Sequence, residues 1–199
     1  MLYISPVDNS LHGDYHGLHS CAVSLLTEGI KKEYGICISE SCISTGRYGK
    51  PFIPQYPNIH FSYSHCFDMA VCYISDTECG CDIEAVGRNI GERVMKRCFT
   101  EREISAVNSC GSIPKGAAAL WTLKESYVKA IGTGLAYGMK KAELCMNNNR
   151  VVLADKEIAD SCGFITLTDG EHIVSVCEMG RNPIVTFSSW DQILFPFSP

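Results

Sequence analysis

Asp82 and Glu84 stand two positions apart in Gly80-Cys81-Asp82-Ile83-Glu84. In an extended strand, side chains at i and i+2 leave on the same face. Two carboxylates would therefore share one surface while Cys81 and Ile83 turn to the core. Like charges held so close repel unless a cation or a base lies between them. Paired carboxylate oxygens suit Mg²⁺, which keeps positions open for water and phosphate. A solvated strand edge would present the same pair, because acidic residues are common on surfaces. Farther on, Trp121, Glu125 and Lys129 fall at i, i+4 and i+8 of Trp121-Thr122-Leu123-Lys124-Glu125-Ser126-Tyr127-Val128-Lys129, one face of a helix. A Glu-to-Lys pair at this spacing is ordinarily a surface contact worth a few tenths of a kcal/mol. The tryptophan on the same stripe points instead to burial, for which the Asp82/Glu84 strand is the candidate surface. A third carboxylate and a lysine would then suit magnesium-assisted phosphoryl transfer, with a purely structural helix face as the competing reading.

Two shorter features are less specific. Tyr48-Gly49-Lys50-Pro51 is a turn with an aromatic ring and a cation beside bare backbone. It could hold an adenine or a phosphate, though most such turns only reverse the chain. His65 follows Ser62 and Ser64 at a strand end and could donate to a phosphate or move a proton; a lone histidine is more often structural.

Several elements must position these groups. Leu18, Cys21, Ala22, Leu25, Leu26 and Ile30 recur near the 3.6 period and predict a helix over 17–33. Residues 39–56, rich in Ser, Gly and Pro, read as a loop. Strands are expected at 59–64, 69–75 and 80–84. Residues 90–97 are helical in pattern, and Thr100-Glu101-Arg102-Glu103 is a capping box opening another short helix. A loop over 109–116 precedes the clearest helix, 117–131, closed by Gly132-Thr133-Gly134. Strands at 164–167, 173–177 and 184–187 finish the chain. The fold class is α+β, one compact unit over 1–199 with a seam at 76–79 and halves of about 1–77 and 78–199.

Composition narrows the function classes. The 199 residues carry 17 Lys+Arg against 22 Asp+Glu, a formal net charge of −5, with 46% hydrophobic and 20% charged residues. That balance supports a real core and argues against a disordered chain. The acidity speaks against broad binding to a nucleic-acid backbone. No apolar run approaches the roughly 20 residues needed to span a bilayer, so no membrane association is expected. The N-terminus lacks the basic-then-apolar order of a signal peptide, and a cytoplasmic location is expected. Twelve cysteines are spread through the chain without a C-x-x-C pair. Several sit inside apolar runs, where they read as reduced, buried thiols.

Taken in order, these blocks resemble the surfactin-type 4′-phosphopantetheinyl transferases. The family pattern shows a Gly-Lys-Pro turn, a Ser-His block after a strand, G-x-D-x-E, then W-[ST]-x-K-E-[AS]-x-x-K and a glycine-rich close. Here they stand as Gly49-Lys50-Pro51, Ser64-His65, Gly80 to Glu84, Trp121 to Lys129, and Gly132-Thr133-Gly134-Leu135. The similarity runs from about residue 30 to the C-terminus, and the two acidic blocks together are highly specific. The resemblance implies a pseudo-twofold arrangement of two similar α/β halves with the active site in the cleft between them. It implies transfer of 4′-phosphopantetheine from coenzyme A to a serine of an apo acyl or peptidyl carrier protein, releasing adenosine 3′,5′-bisphosphate. Asp82, Glu84 and Glu125 would hold Mg²⁺, and Glu125 would take the serine proton directly or through water. Lys129 would neutralise charge on the transferred phosphate, and His65 would touch a coenzyme A phosphate. Tyr48, Gly49, Lys50 and Pro51 would lie against the adenine and its ribose phosphate, with Ser64 and Lys124 also at the coenzyme. A chain with both halves builds its own cleft, so a monomer is expected.

The sequence departs from the pattern in places. The family's block reads N-x-S-H-S; here Ser62 replaces the Asn and Cys66 the final Ser, a weaker hydrogen-bond donor. The basic residues that the family places on its first helix are not evident, and His19, Lys31 and Lys32 are the nearest cations. Met95, Arg97, Phe99 and 113–115 are candidates for carrier docking, with a core role for Met95 and Phe99 as the alternative. Rival functions are a catalytically weak binder of coenzyme A or carrier, and a metal-dependent nuclease.

Overall fold

The computed structural model describes residues 1–11, 13–147, 150–183 and 191–192. Strand β1 (Leu2–Pro6) and helix α1 (Tyr15–Tyr34) open the chain, and Asp14 caps α1 by accepting from His16 N–H. Residues 39–56 form mostly loop, closed by the two-residue strands β2 (Ser44–Thr45) and β3 (Pro51–Phe52). Then come β4 (His60–His65), β5 (Met69–Ser75) and β6 (Cys79–Ala85). Three helices follow, α2 (Glu92–Cys98), α3 (Glu101–Asn108) and α4 (Ile113–Ala130). A small hairpin, β7 (Leu144–Asn147) with β8 (Arg150–Leu153), leads to β9 (Cys162–Thr168), β10 (His172–Met179) and β11 (Asp191–Gln192).

One antiparallel sheet has the order β1-β5-β4 and another the order β11-β9-β10-β6. The sheets face each other, because alternate residues of the central strands divide between two cores. Val71 and Tyr73 of β5 pack with Cys79, Cys81, Ile83, Val174 and Val176. Their neighbours Cys72 and Ile74 pack instead on Leu26 and Ile30 of α1. Likewise Ile173 and Cys177 turn outward to α4. The layers run helix, sheet, sheet, helix, so β5 and β10 are buried on both faces and are mostly apolar. The class is α+β.

The capping box at Thr100 is present: Thr100 N–H donates to Glu103 Oε2 at 2.8 Å, and Thr100 Oγ1 accepts from Glu103 N–H at 3.3 Å. Helix α4 begins four residues before the expected 117, since Pro114 in its first turn needs no N–H partner there. β1 and the β7/β8 hairpin were not expected from sequence. The expected strand at 184–187 lies outside the described residues. Among the described residues no helix is long and apolar enough to cross a membrane. All twelve cysteines are free thiols; six are buried, including Cys72, Cys79, Cys81 and Cys177.

Candidate active site at the α4–β6 crossing

On β6 the odd residues Cys79, Cys81 and Ile83 enter the inter-sheet core, so Gly80, Asp82 and Glu84 face α4. This face is not a solvated edge: Asp82 is 5% exposed and Glu84 9%. Lys129 reaches across from α4 and places Nζ 2.7 Å from Asp82 Oδ1 and 3.1 Å from the Cys81 carbonyl oxygen. Ser64 Oγ donates to the same Asp82 Oδ1 at 2.7 Å and accepts from Lys129 Nζ at 3.0 Å. Lys129 thus pairs across the crossing with Asp82. Burial pulls its pKa down, but Asp82 and its neighbours outweigh that and hold the ammonium above its ordinary range.

Glu125 lies one turn before Lys129. Burial, then the charge of Asp82, push its carboxyl above the usual range against the pull of Lys129 and Arg88. Glu84 is paired with Arg88, whose guanidinium stacks 5.7 Å from the Trp121 ring centroid. Arg88 joins Glu84 without a motif to flag it, because the contact is made across the turn that follows β6.

The donor chemistry suits a hard divalent cation. Asp82 is paired with Lys129 and Glu84 with Arg88, Glu125 feels the charge of Asp82, and Asp82 Oδ2 is buried without a hydrogen-bond partner. A buried carboxylate oxygen left unpaired is costly, and an oxygen-seeking ion such as Mg²⁺ is what such an atom suits.

Beside this cluster opens a cleft of about 390 Å³. Tyr48, Gly49, Lys50 and Pro51 line one wall, Ser64 and His65 another, and Lys129 the end nearest Asp82. Gly49 has φ +87°, which keeps the turn's backbone bare. Lys50 is tied to Glu78 and to the Ala130 carbonyl oxygen, which anchors the turn to the end of α4. Tyr15, His19 and Tyr63 also line the cleft; of the cations noted on the first helix, His19 is the one there. His19 lies edge-on to Tyr63 at 5.5 Å, and Tyr15 lies edge-on to His65 at 5.4 Å. Burial, then His19 and Lys129, lower the His65 pKa against the opposing Asp82. Ser62 is a stitch between the sheets: its Oγ accepts from Cys81 N–H at 3.0 Å.

Lys124 is not at the cleft. Its side chain is wholly buried, 2.8 Å from Glu103 Oε1 and donating to the carbonyl oxygens of Met139 and Ala142 at 2.8 and 2.9 Å. The expected coenzyme contact is therefore corrected to a structural ion pair, because Lys124 lies five residues before Lys129 and so points to a different face of α4 from the one that meets β6. Lys124→Ala would strand the Glu103 charge in the core, and a loss of about 3–5 kcal/mol is expected in urea denaturation. Met95 and Phe99, considered for docking, are likewise core, at 9% and 0% exposure. Val94, Arg97 and Ile113 are exposed.

The pattern of the 4′-phosphopantetheinyl transferase superfamily matches residues 78–177. The chain is 32% identical over 114 residues to 4′-phosphopantetheinyl transferase Sfp of Bacillus subtilis (strain 168), covering 56% of this chain and 50% of that protein. It is 38% identical over 117 residues to the L-aminoadipate-semialdehyde dehydrogenase-phosphopantetheinyl transferase of Xenopus laevis, covering 50% and 37%. A holo-[acyl-carrier-protein] synthase structure from Thermotoga maritima superposes with a TM-score of 0.45 at 21% identity, over 53% of this chain and 64% of that one. The chain belongs to the 4′-phosphopantetheinyl transferase superfamily. It spans half the length of the Bacillus relative and less of the Xenopus one.

Proposed function

We propose that this protein transfers 4′-phosphopantetheine from coenzyme A to a serine of an apo acyl or peptidyl carrier protein, with Mg²⁺, releasing adenosine 3′,5′-bisphosphate. The observation that carries the reading is the unpartnered Oδ2 of Asp82, whose other oxygen is paired with Lys129 at the end of an aromatic and cationic cleft. Asp82, Glu84 and Glu125 would hold the ion, which supplies positive charge to the pyrophosphate. Glu84 would then share its carboxylate with Arg88. The serine Oγ bonds to the pantetheine-side phosphorus as that phosphorus parts from the bridging oxygen. A serine hydroxyl needs a base aimed at it, and Glu125, its affinity for a proton raised by burial, takes the proton directly or through water. Lys129 faces the transferred phosphate, and Tyr48 to Pro51 lie against adenine and ribose phosphate. A carrier helix would meet Val94, Arg97 and Ile113 at the rim.

The test is to incubate the chain with coenzyme A, Mg²⁺ and apo carrier proteins and to weigh the carriers by mass spectrometry. A phosphopantetheine mass gain is expected. Coenzyme A binding with no gain on any acyl or peptidyl carrier would favour the binding-module reading.

His65 gives a pH signature. Its lowered pKa leaves it neutral near pH 7 in the free protein, and a phosphate beside it raises that pKa. Coenzyme A is expected to bind with net proton uptake, and more tightly as pH falls toward about 6.5, the ordinary histidine value. Calorimetry in buffers of different ionisation enthalpy reads the uptake, and His65→Gln is expected to remove it. Uptake unchanged in that variant would take His65 away from the phosphate.

A further inference from the structure

A second cluster of ligating side chains lies at the end of the seam between the sheets, apart from the carboxylates of the crossing. Cys66 and Asp68 belong to the tight turn from β4 to β5, and His172 begins β10. Their Sγ, carboxylate oxygen and imidazole nitrogen all lie within 4.8 Å of one another. Asp68 Oδ1 is 2.9 Å from His172 Nε2 and 3.6 Å from Cys66 Sγ. The other ring nitrogen, Nδ1, is 3.0 Å from Asp169 Oδ2. Asp169 is itself fixed, since its Oδ1 accepts from the N–H groups of Glu171 and His172 at 2.9 and 2.7 Å.

We propose that Cys66, Asp68 and His172 form a binding site for a divalent ion of the zinc class, joining the β4–β5 turn of one sheet to the β9–β10 turn of the other.

The donors are one thiol, one imidazole and one carboxylate, a set that favours Zn²⁺ or Co²⁺ over Mg²⁺ or Ca²⁺. With three protein ligands the fourth tetrahedral position is left for water.

The spacing is close to what the ion requires. Bonds of about 2.3 Å to sulfur and about 2.0–2.1 Å to nitrogen and oxygen place tetrahedral ligands roughly 3.3–3.6 Å apart. The Cys66–Asp68 separation already meets this, Asp68 need withdraw from His172 by only a few tenths of an ångström, and Cys66 and His172, within 4.8 Å of each other, complete the triangle by a small approach of the Cys66 side chain. Asp68 can move, being partly exposed with a 38% exposed side chain.

The surroundings are those of a ligand histidine. A carboxylate on Nδ1 fixes the ring and leaves Nε2 as the ligand atom, the usual outer-shell support of a zinc-bound imidazole. The main chain is held as well: Cys66 N–H donates to Met69 O at 2.9 Å, Val7 N–H to Asp68 O at 2.7 Å, and Thr168 Oγ1 to His172 O at 2.7 Å. A plain ion pair of His172 with two aspartates would explain the imidazole, but not the thiol beside it.

The experiment uses the full chain, reduced and stripped with chelator, titrated with Co²⁺. One equivalent is expected to produce a sulfur-to-cobalt charge-transfer band and the visible bands of four-coordinate cobalt, both displaced by one equivalent of Zn²⁺. The oxygen-only cluster at Asp82, Glu84 and Glu125 gives no sulfur band, so the two sites are read separately. Cys66→Ser is expected to abolish the band, and Asp169→Asn to weaken Co²⁺ binding about 10–100-fold. His172→Gln is expected to abolish the band as well. Should that variant unfold, Cys66→Ser, which removes no ion pair, and Asp169→Asn decide the matter. No sulfur band in the parent at millimolar Co²⁺ would overturn the proposal, as would a band undiminished in Cys66→Ser, which would place the ion on another of the twelve thiols.

Discussion

Glu125→Gln is expected to lose at least about 100-fold in the rate of carrier modification at saturating coenzyme A and Mg²⁺, the scale of a missing general base. Coenzyme A binding should be largely spared, because the cleft is walled by the Tyr48–Pro51 turn and by His65, not by Glu125. The pH profile of the parent carries a related signature. Without metal, burial and Asp82 raise the Glu125 pKa, and a bound Mg²⁺ pulls it back down. The acid limb is therefore expected to move to lower pH as Mg²⁺ is raised and to vanish in the variant. The stability effect has a definite sign. A carboxyl whose folded pKa lies above its unfolded one binds its proton more readily in the fold, so the ionised form weighs against folding at neutral pH. Glutamine carries no charge, and its variant should unfold at a denaturant midpoint no lower than the parent's. An active Glu125→Gln protein would remove Glu125 from the base role; a destabilised one would refute the unfavourable burial of its charge.

The sequence carried the crossing well because two different periods marked it. The i, i+2 spacing of Asp82 and Glu84 and the i, i+4, i+8 spacing of Trp121, Glu125 and Lys129 each define one face. Trp121, Glu125 and Lys129 are all only partly buried. The central strands β5 and β10 were legible for the opposite reason: both of their faces are buried, so β5 runs apolar to Ser75 and β10 is interrupted before Glu178 only by Ser175, whose hydroxyl is bonded to Thr122 and Thr166. What stayed hidden depends on contacts distant in sequence. Lys124 lies in the same motif as Lys129, and nothing local tells that it points toward Glu103, a capping residue 21 positions earlier. Arg88 looks like a loop cation until Trp121 is seen beneath it. Ser62 looks like a lost Asn in a motif, yet it holds the backbone of Cys81 and hence the strand carrying Asp82. The β7/β8 hairpin was missed because its strands have only four residues each, too few for alternation to register.

Gly80→Ala is expected to be the most damaging single methyl group in the protein. The Cβ it adds would lie 2.0 Å from the Ser126 carbonyl oxygen, 2.5 Å from the Ala130 nitrogen and 2.9 Å from Lys129 Cβ. Two of these atoms are helix backbone, which cannot swing aside as a side-chain tip can. Helix α4 must instead be pushed off β6 as a body, against a core that includes Leu123, Val128 and Ile173. Overpacking of a well-filled interior usually costs about 1–3 kcal/mol, occasionally more, and a clash with backbone belongs at or above the top of that range. The same displacement parts Lys129 from Asp82, now 2.7 Å apart, and a shift of about 1 Å in positioning can cost on the order of 100-fold in rate. Urea denaturation should therefore show a loss of about 3 kcal/mol or more, with a fall in carrier modification beyond what the unfolded fraction explains. Gly111→Ala is the control, for its added Cβ meets nothing within 4 Å and should leave both quantities unchanged. Parent-like stability and rate in Gly80→Ala would mean that α4 does not approach β6 this closely, and the distances on which Asp82, Glu125 and Lys129 act together would have to be redrawn.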